Sequence, residues 1–238
     1  MLSVLVTGAN RGIGLGLVQQ FLSDRTVGIV IATVRNIDDA KELTSIDSRK
    51  LHVITCEVTD ETSVCEAAAK VSEIVDGKGL DILVNNAGIY CPQALKSDIT
   101  KSVVMEQLEV NVVGPLLMAN KLHGLLKQAA DLKGSSQIVN ISSASGSLEL
   151  AMENASSPLY DMSKAALNML TRKLSLEWKA DKIRATAITP GWVRTDMGGM
   201  DADQSVEEST SKLTKFNLSL TESHTGEFYR HTGEKLPW

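Results

Sequence analysis

Tyr160 and Lys164 stand four positions apart in a stretch of helical periodicity, Tyr160 to Lys179, so the two side chains stack on one helix face. A free phenol ionises near pH ~10 and is a poor base at neutrality. A neighbouring ammonium favours the phenolate and draws that pKa down. The pair therefore suits proton exchange at an oxygen. The spacing alone also arises by chance on helix surfaces, so it needs company. Ser143 provides it: the apolar run Ile138 to Ile141 opens into S-S-A-S-G, and a hydroxyl there can donate to a carbonyl oxygen. Ser142 and Ser145 read as turn formers. Asn111 is followed four residues later by Pro115, which has no N–H. The Asn111 carbonyl loses its helical partner there and can hold a water.

These residues need a frame. Val4 to Phe21, V-L-V-T-G-A-N-R-G-I-G-L-G-L-V-Q-Q-F, reads as a buried strand, a glycine loop and a helix with Ile13, Leu17, Val18 and Phe21 at helical spacing. Gly8 takes the tight turn, Gly12 lets backbone approach a ligand, and Gly14 lets the helix lie close on the strand. The helix N-terminus then offers free N–H groups to a pyrophosphate. Further strands are expected at Gly28–Val34, Leu51–Thr55, Leu80–Val84, Gln137–Ile141 and Ile183–Ile188, with a last short one in Gly226–Arg230. Helices are expected to start at Asn36–Asp39, after Asp60 as N-cap, at Lys101 to Val110, Asn111 to Leu132, and Asp203 to Phe216. The alternation predicts an α/β chain, a single Rossmann domain over residues 1–238 with a doubly wound, mostly parallel seven-stranded sheet. Gly8, Arg35, Glu57, Asn86, Ser143 and Pro190 all follow strand ends, where such folds bind ligands.

The second strand ends in Val34-Arg35-Asn36. An acid there would hold the ribose 2′-hydroxyl of NAD, whereas Arg35 can fork onto a 2′-phosphate. Arg11 adds a second positive charge on that side, so NADP(H) is the expected cofactor, with NAD kept open by Asp38 and Asp39. The net charge of −5 argues against nucleic acid as a partner. No run is apolar and long enough to span a membrane. The first strand starts almost at Met1, which leaves no room for a signal peptide and suggests a cytoplasmic protein. Cys56, Cys65 and Cys91 lie scattered, as reduced thiols and not as a disulfide framework or metal site.

Taken together, T-G-A-N-R-G-I-G, N-N-A-G, Asn111, Ser143, Y-D-M-S-K and Pro190-Gly191 resemble the motif set of the short-chain dehydrogenases/reductases, from Val4 to about Met197. The opening segment, A-T-V-R-N and the ending L-P-W are similar to sniffer-type carbonyl reductases. The resemblance implies that Tyr160 protonates the carbonyl oxygen, Lys164 binds the nicotinamide ribose and tunes Tyr160, Ser143 orients the carbonyl, and Asn111 holds a relay water. It implies that Asn10 and Ile13 of the glycine loop, Glu57 with Val58, and Asn86, Ala87 and Gly88 line the dinucleotide. Pro190 and Gly191 would also bind the cofactor, and the Val193 N–H and Thr195 would hold the nicotinamide carboxamide.

Two departures stand out. Glu57 replaces the usual aspartate, and the stretch between Ser143 and Tyr160 is longer than common, with Leu148 to Pro158 over the substrate cleft or near a helix-mediated dimer surface. Residues 197–216 suggest a substrate lid. The expected activity is NADPH-dependent reduction of an aldehyde, ketone or quinone, by a protein that works on a small molecule and forms at most a homo-oligomer. The rivals are an NAD-dependent alcohol dehydrogenase and a non-catalytic redox sensor.

Overall fold

The computed structural model describes residues 1–92, 95, 98–150 and 157–238. The glycine loop joins β1 (Leu2–Val6) to α1 (Gly12–Ser23), and the alternation then runs through β2 (Val27–Val34), a one-turn α2 (Lys41–Thr44), β3 (Leu51–Thr55), α3 (Glu61–Val75) and β4 (Ile82–Asn85). After α4 (Lys101–Leu108) and α5 (Gly114–Lys133) come β5 (Ser136–Ile141), α6 (Pro158–Glu177), β6 (Ile183–Thr189), α7 (Val206–Ser219), β7 (Phe228–Arg230) and β8 (Lys235–Leu236). The strand order is β3-β2-β1-β4-β5-β6-β7-β8, parallel except for β8 against β7. The order reverses between β1 and β4, which opens a crevice at their carboxyl ends.

Strand alternation sends side chains to two cores. Val4, Val6, Val30, Ala32, Val84 and Val139 pack under α1 and α7, against Leu17, Phe21 and Leu213. Leu5, Ile31, Leu83 and Ile138 face the other way, onto α3 and α5 through Val64, Val71, Met118 and Leu122. Strands buried on both faces read as continuous apolar runs, which is why β1, β2 and β5 were legible. Helix α7 lies directly on α1: a Cβ added at Gly16 would sit 2.7 Å from Val206 Cγ1 and 2.9 Å from Thr210 Cγ2.

Asp60 caps α3 as expected, its carboxylate accepting from the N–H groups of Thr62 and Ser63. Three expectations change. The sheet has eight strands, not seven, because the chain turns back as a two-residue antiparallel strand too short to show a pattern. Asn36 to Asp39 is not helical: the Asn36 side chain accepts from Asp38 N–H at 3.1 Å and donates to Asp39, holding a local turn. The break at Asn111 is a π turn, Glu109–Val113, lying between α4 and α5. Pro115 follows the π turn without a break in the helix, so its missing N–H leaves the Asn111 carbonyl without an i+4 donor, as expected. No helix among the described residues is long and apolar enough to cross a membrane.

Candidate active site

A cavity of about 690 Å³ opens at the carboxyl ends of the strands. Each expected group contributes to its wall: Gly8, Asn10, Arg11, Gly12, Ile13 and Gly14 from the loop, Arg35 after β2, Glu57 and Val58 after β3, Asn86 to Gly88 after β4, Tyr160 and Lys164 from α6, and Pro190 and Thr195 after β6. Asn111, Ser143, Gly191 and Val193 stand outside that lining. Arg194 and Asp196 join it without having been singled out from the sequence, and Asp39, one of the two acids that kept NAD open, lines it as well.

The loop geometry needs its glycines. Gly8 and Gly12 have φ of +64° and +55°, and a Cβ on Gly8 would come within 2.9 Å of Ala87 Cα. A Cβ on Gly14 would run into the Gly8 carbonyl oxygen and lie 2.6 Å from Asn86 Nδ2. Gly14→Ala should therefore cost about 1–3 kcal/mol of stability, the usual size of overpacking; a melting temperature equal to wild type would contradict this. Among the described residues nothing caps the N-terminus of α1 by a side chain, and its first turn holds no acid. Its free N–H groups and dipole suit an anion.

Several polar side chains work on the protein itself. Asn86 Nδ2 donates to the carbonyls of Thr7 and Gly8 at 2.8 and 3.1 Å, fastening the loop to the end of β4. The Glu57 carboxylate accepts from Thr59 N–H and hydroxyl at 3.2 and 3.0 Å, folding back on its own turn. Arg11 pairs with Asp196, so its charge is partly answered from within the protein, while Arg35 is exposed. Val193 bridges Gln204, and Arg194 N–H donates to the Gln204 carbonyl at 2.8 Å. Thr195 Oγ1 accepts from Gly198 N–H at 3.0 Å. Residues 197–205 are thus tied at several points. Leu148 is 75% exposed, and residues 151–156 of the long stretch before Tyr160 lie outside the described residues.

At the inner end, Lys164 is 4% exposed, donates to the Ile141 carbonyl at 2.8 Å, and lies 5.5 Å from the Tyr160 ring centroid. Burial pulls its pKa down to about 8. Burial also pushes the Tyr160 hydroxyl up to about 12; the Ser143 side chain pulls it back, and Asp161 and Tyr90 push it further up. Desolvation, not the cation, dominates at Tyr160, and the phenol is protonated at neutral pH, the form that can donate.

Asn111 is fully buried. Its Oδ1 accepts from Ile89 N–H at 2.9 Å, and its Nδ2 donates to Ile89 O at 2.9 Å and Ser163 Oγ at 3.0 Å. The Ser163 hydroxyl donates to the Tyr160 carbonyl at 2.7 Å. Gln107, buried four residues before Asn111, donates to Ile89 O at 2.6 Å and accepts from Cys91 N–H at 2.8 Å. Gln107 and Ser163 escaped the sequence reading; a buried amide on an otherwise ordinary helix was the one available signal.

The comparisons agree with this geometry. The short chain dehydrogenase family matches residues 3–205. The structure superposes on the carbonyl reductase Sniffer of D. melanogaster with a TM-score of 0.96 at 32% identity, covering 100% of both chains. It superposes on an NADPH-bound carbonyl reductase from chicken fatty liver with a TM-score of 0.94 at 38% identity, covering 99% of this chain and 98% of that one. The norsolorinic acid ketoreductase of Dothistroma septosporum is 31% identical over 98% of this chain and 91% of its own. With the glycine loop, the strand-end motifs and the sheet order all in place, the chain belongs to the short-chain dehydrogenase family.

Proposed function

We propose that the protein is an NADPH-dependent reductase of aldehydes, ketones or quinones. The observation that carries this reading is one continuous cavity with Arg35 at one end and the Tyr160–Lys164 pair at the other, the uncapped start of α1 between them. The fit to a phosphorylated dinucleotide rests on chemistry: an exposed guanidinium for a 2′-phosphate, N–H groups for a pyrophosphate, and a buried ammonium for ribose hydroxyls. When bound, that dinucleotide supplies the hydride. Tyr160 holds the proton that the carbonyl oxygen needs, and Ser143 stands beside the Tyr160 hydroxyl to orient that oxygen. Lys164, fixed by the Ile141 carbonyl, presents its charge beneath the phenol ring. Of the expected lid at 197–216, the part that can cover a substrate is 197–205, because 206–216 lie in α7 and are packed on α1 through Leu213.

Purified protein should oxidise NADPH only when a carbonyl compound is added, and NADH more slowly. No carbonyl-dependent NADPH oxidation across a broad panel of aldehydes, ketones and quinones would overturn the reading. Asp39 also lines the cavity, beside Asn36, and it is the observation that favours NAD as a second reading. Arg35→Asp decides between them: it replaces attraction for a 2′-phosphate by repulsion, so the NADPH-to-NADH preference should fall at least tenfold, or about 1.4 kcal/mol. A change within about twofold, well inside that tenfold step, would mean that Arg35 does not read the phosphate.

A further inference from the structure

Tyr90 follows the N-N-A-G-I run and has entered so far only through its effect on the Tyr160 hydroxyl. Its ring meets the Tyr160 ring edge to face, with centroids 5.3 Å apart and planes at 80°. It remains 36% exposed, so one part of the ring is committed to the proton donor and another is open. The backbone on both sides is held by buried amides: Ile89 by Asn111 through N–H and carbonyl, and again by Gln107, while Cys91 N–H goes to Gln107. The Cys91 carbonyl also accepts from the hydroxyl of Ser157, just before α6, at 3.2 Å. Holding the backbone on both sides lowers the entropy cost of ordering the ring against a ligand.

We infer that Tyr90 is a specificity-determining residue, a fixed aromatic wall beside Tyr160 that favours carbonyl groups borne on a flat ring over those borne on a puckered one. This rests on the reductase reading above. A flat ring offers its face or edge to Tyr90 while its carbonyl oxygen reaches Tyr160; a saturated ring of the same size lacks the quadrupole and holds its hydrogens out of plane.

The test uses a matched pair, benzaldehyde and cyclohexanecarbaldehyde, with NADPH. The ratio of their kcat/KM values should fall about fivefold in Tyr90→Ala, the scale of one aromatic pair, with the change mainly in KM. Tyr90→Phe should keep the wild-type ratio. Gln107→Leu, which frees the backbone around Tyr90, should shift the ratio in the same direction as Tyr90→Ala. An unchanged ratio in Tyr90→Ala overturns the inference, and so does an equal loss for both aldehydes, which would make Tyr90 only a prop for Tyr160. Failure of the wild type with both aldehydes and with the wider carbonyl panel is a different result: it removes the reductase reading and the inference with it.

Discussion

Tyr160→Phe should lower carbonyl-dependent NADPH oxidation by about 10²–10⁴-fold, the usual worth of a positioned proton donor. The substitution removes one oxygen and leaves the ring that packs against Tyr90 and lies over Lys164. Cofactor affinity and melting temperature should therefore stay close to wild type. The pH dependence of the two half-reactions follows from the desolvation of the phenol. Its pKa is raised to about 12, so it holds its proton at every pH near neutrality. The rate of reduction, which consumes that proton, should not be limited by Tyr160 there, whereas the rate of oxidation, which needs the phenolate, should rise with pH. Near-normal reduction by Tyr160→Phe with NADPH still bound would show that the proton comes from elsewhere.

Lys164→Met should also depress turnover, by at least about 10²-fold, but with an opposite signature in stability. The folded-state pKa of Lys164 is about 8, against 10.5 for an ordinary lysine, because burial penalises the ammonium. Between those values the unfolded chain holds the proton and the folded chain does not. Wild-type stability should accordingly rise with pH across that window, and the gain is lost as pH falls through about 8. Lys164→Met lacks this dependence and should melt no lower than wild type at pH ~7, since an apolar chain of similar length replaces a desolvated charge. Activity should show the complementary trend: wild-type reduction declines as pH rises through about 8, where the ammonium is lost, and that limb is missing in the variant. A variant that unfolds at neutral pH, or that keeps the limb, would show that Lys164 acts differently.

Local chemistry made much of this legible in the sequence. Val4 to Phe21 declared a strand, turn and helix because two periodicities meet at glycines whose positive φ the structure requires. Tyr160 and Lys164 share a helix face by spacing alone. What escaped depended on the fold being closed. The direction of the Tyr160 pKa follows from desolvation, which no spacing reports; four residues of separation suggested a phenol pulled down by a cation, and burial reverses the sign. The Gln107 and Asn111 amides share a helix face, but their common partner Ile89 reaches them only through the path of the chain after β4. Arg11 takes its expected place on the cavity wall, but its pairing with Asp196, 185 residues away, could only be seen once the chain is folded. Strand β8, at two residues, carries no periodicity to read.

The close seating of α7 on α1 at Gly16 bears on how such a protein can change its substrates. The chain leaves the sheet at Thr189 and joins α7 at Val206, and residues 190–205 between them are cross-tied at Val193–Gln204, Arg194–Gln204 and Thr195–Gly198. Tyr160, the proton donor of the reading proposed above, Lys164 and the amides near them lie on α4, the π turn and α6, all earlier in the chain. On the reading proposed above, the later part of this span, from Asp196 to Ser205, can vary in sequence without moving α6. Exchanging it between relatives would alter the shape offered to a carbonyl compound while leaving in place the phenol that protonates it, a partly modular division through which one scaffold can acquire many substrates.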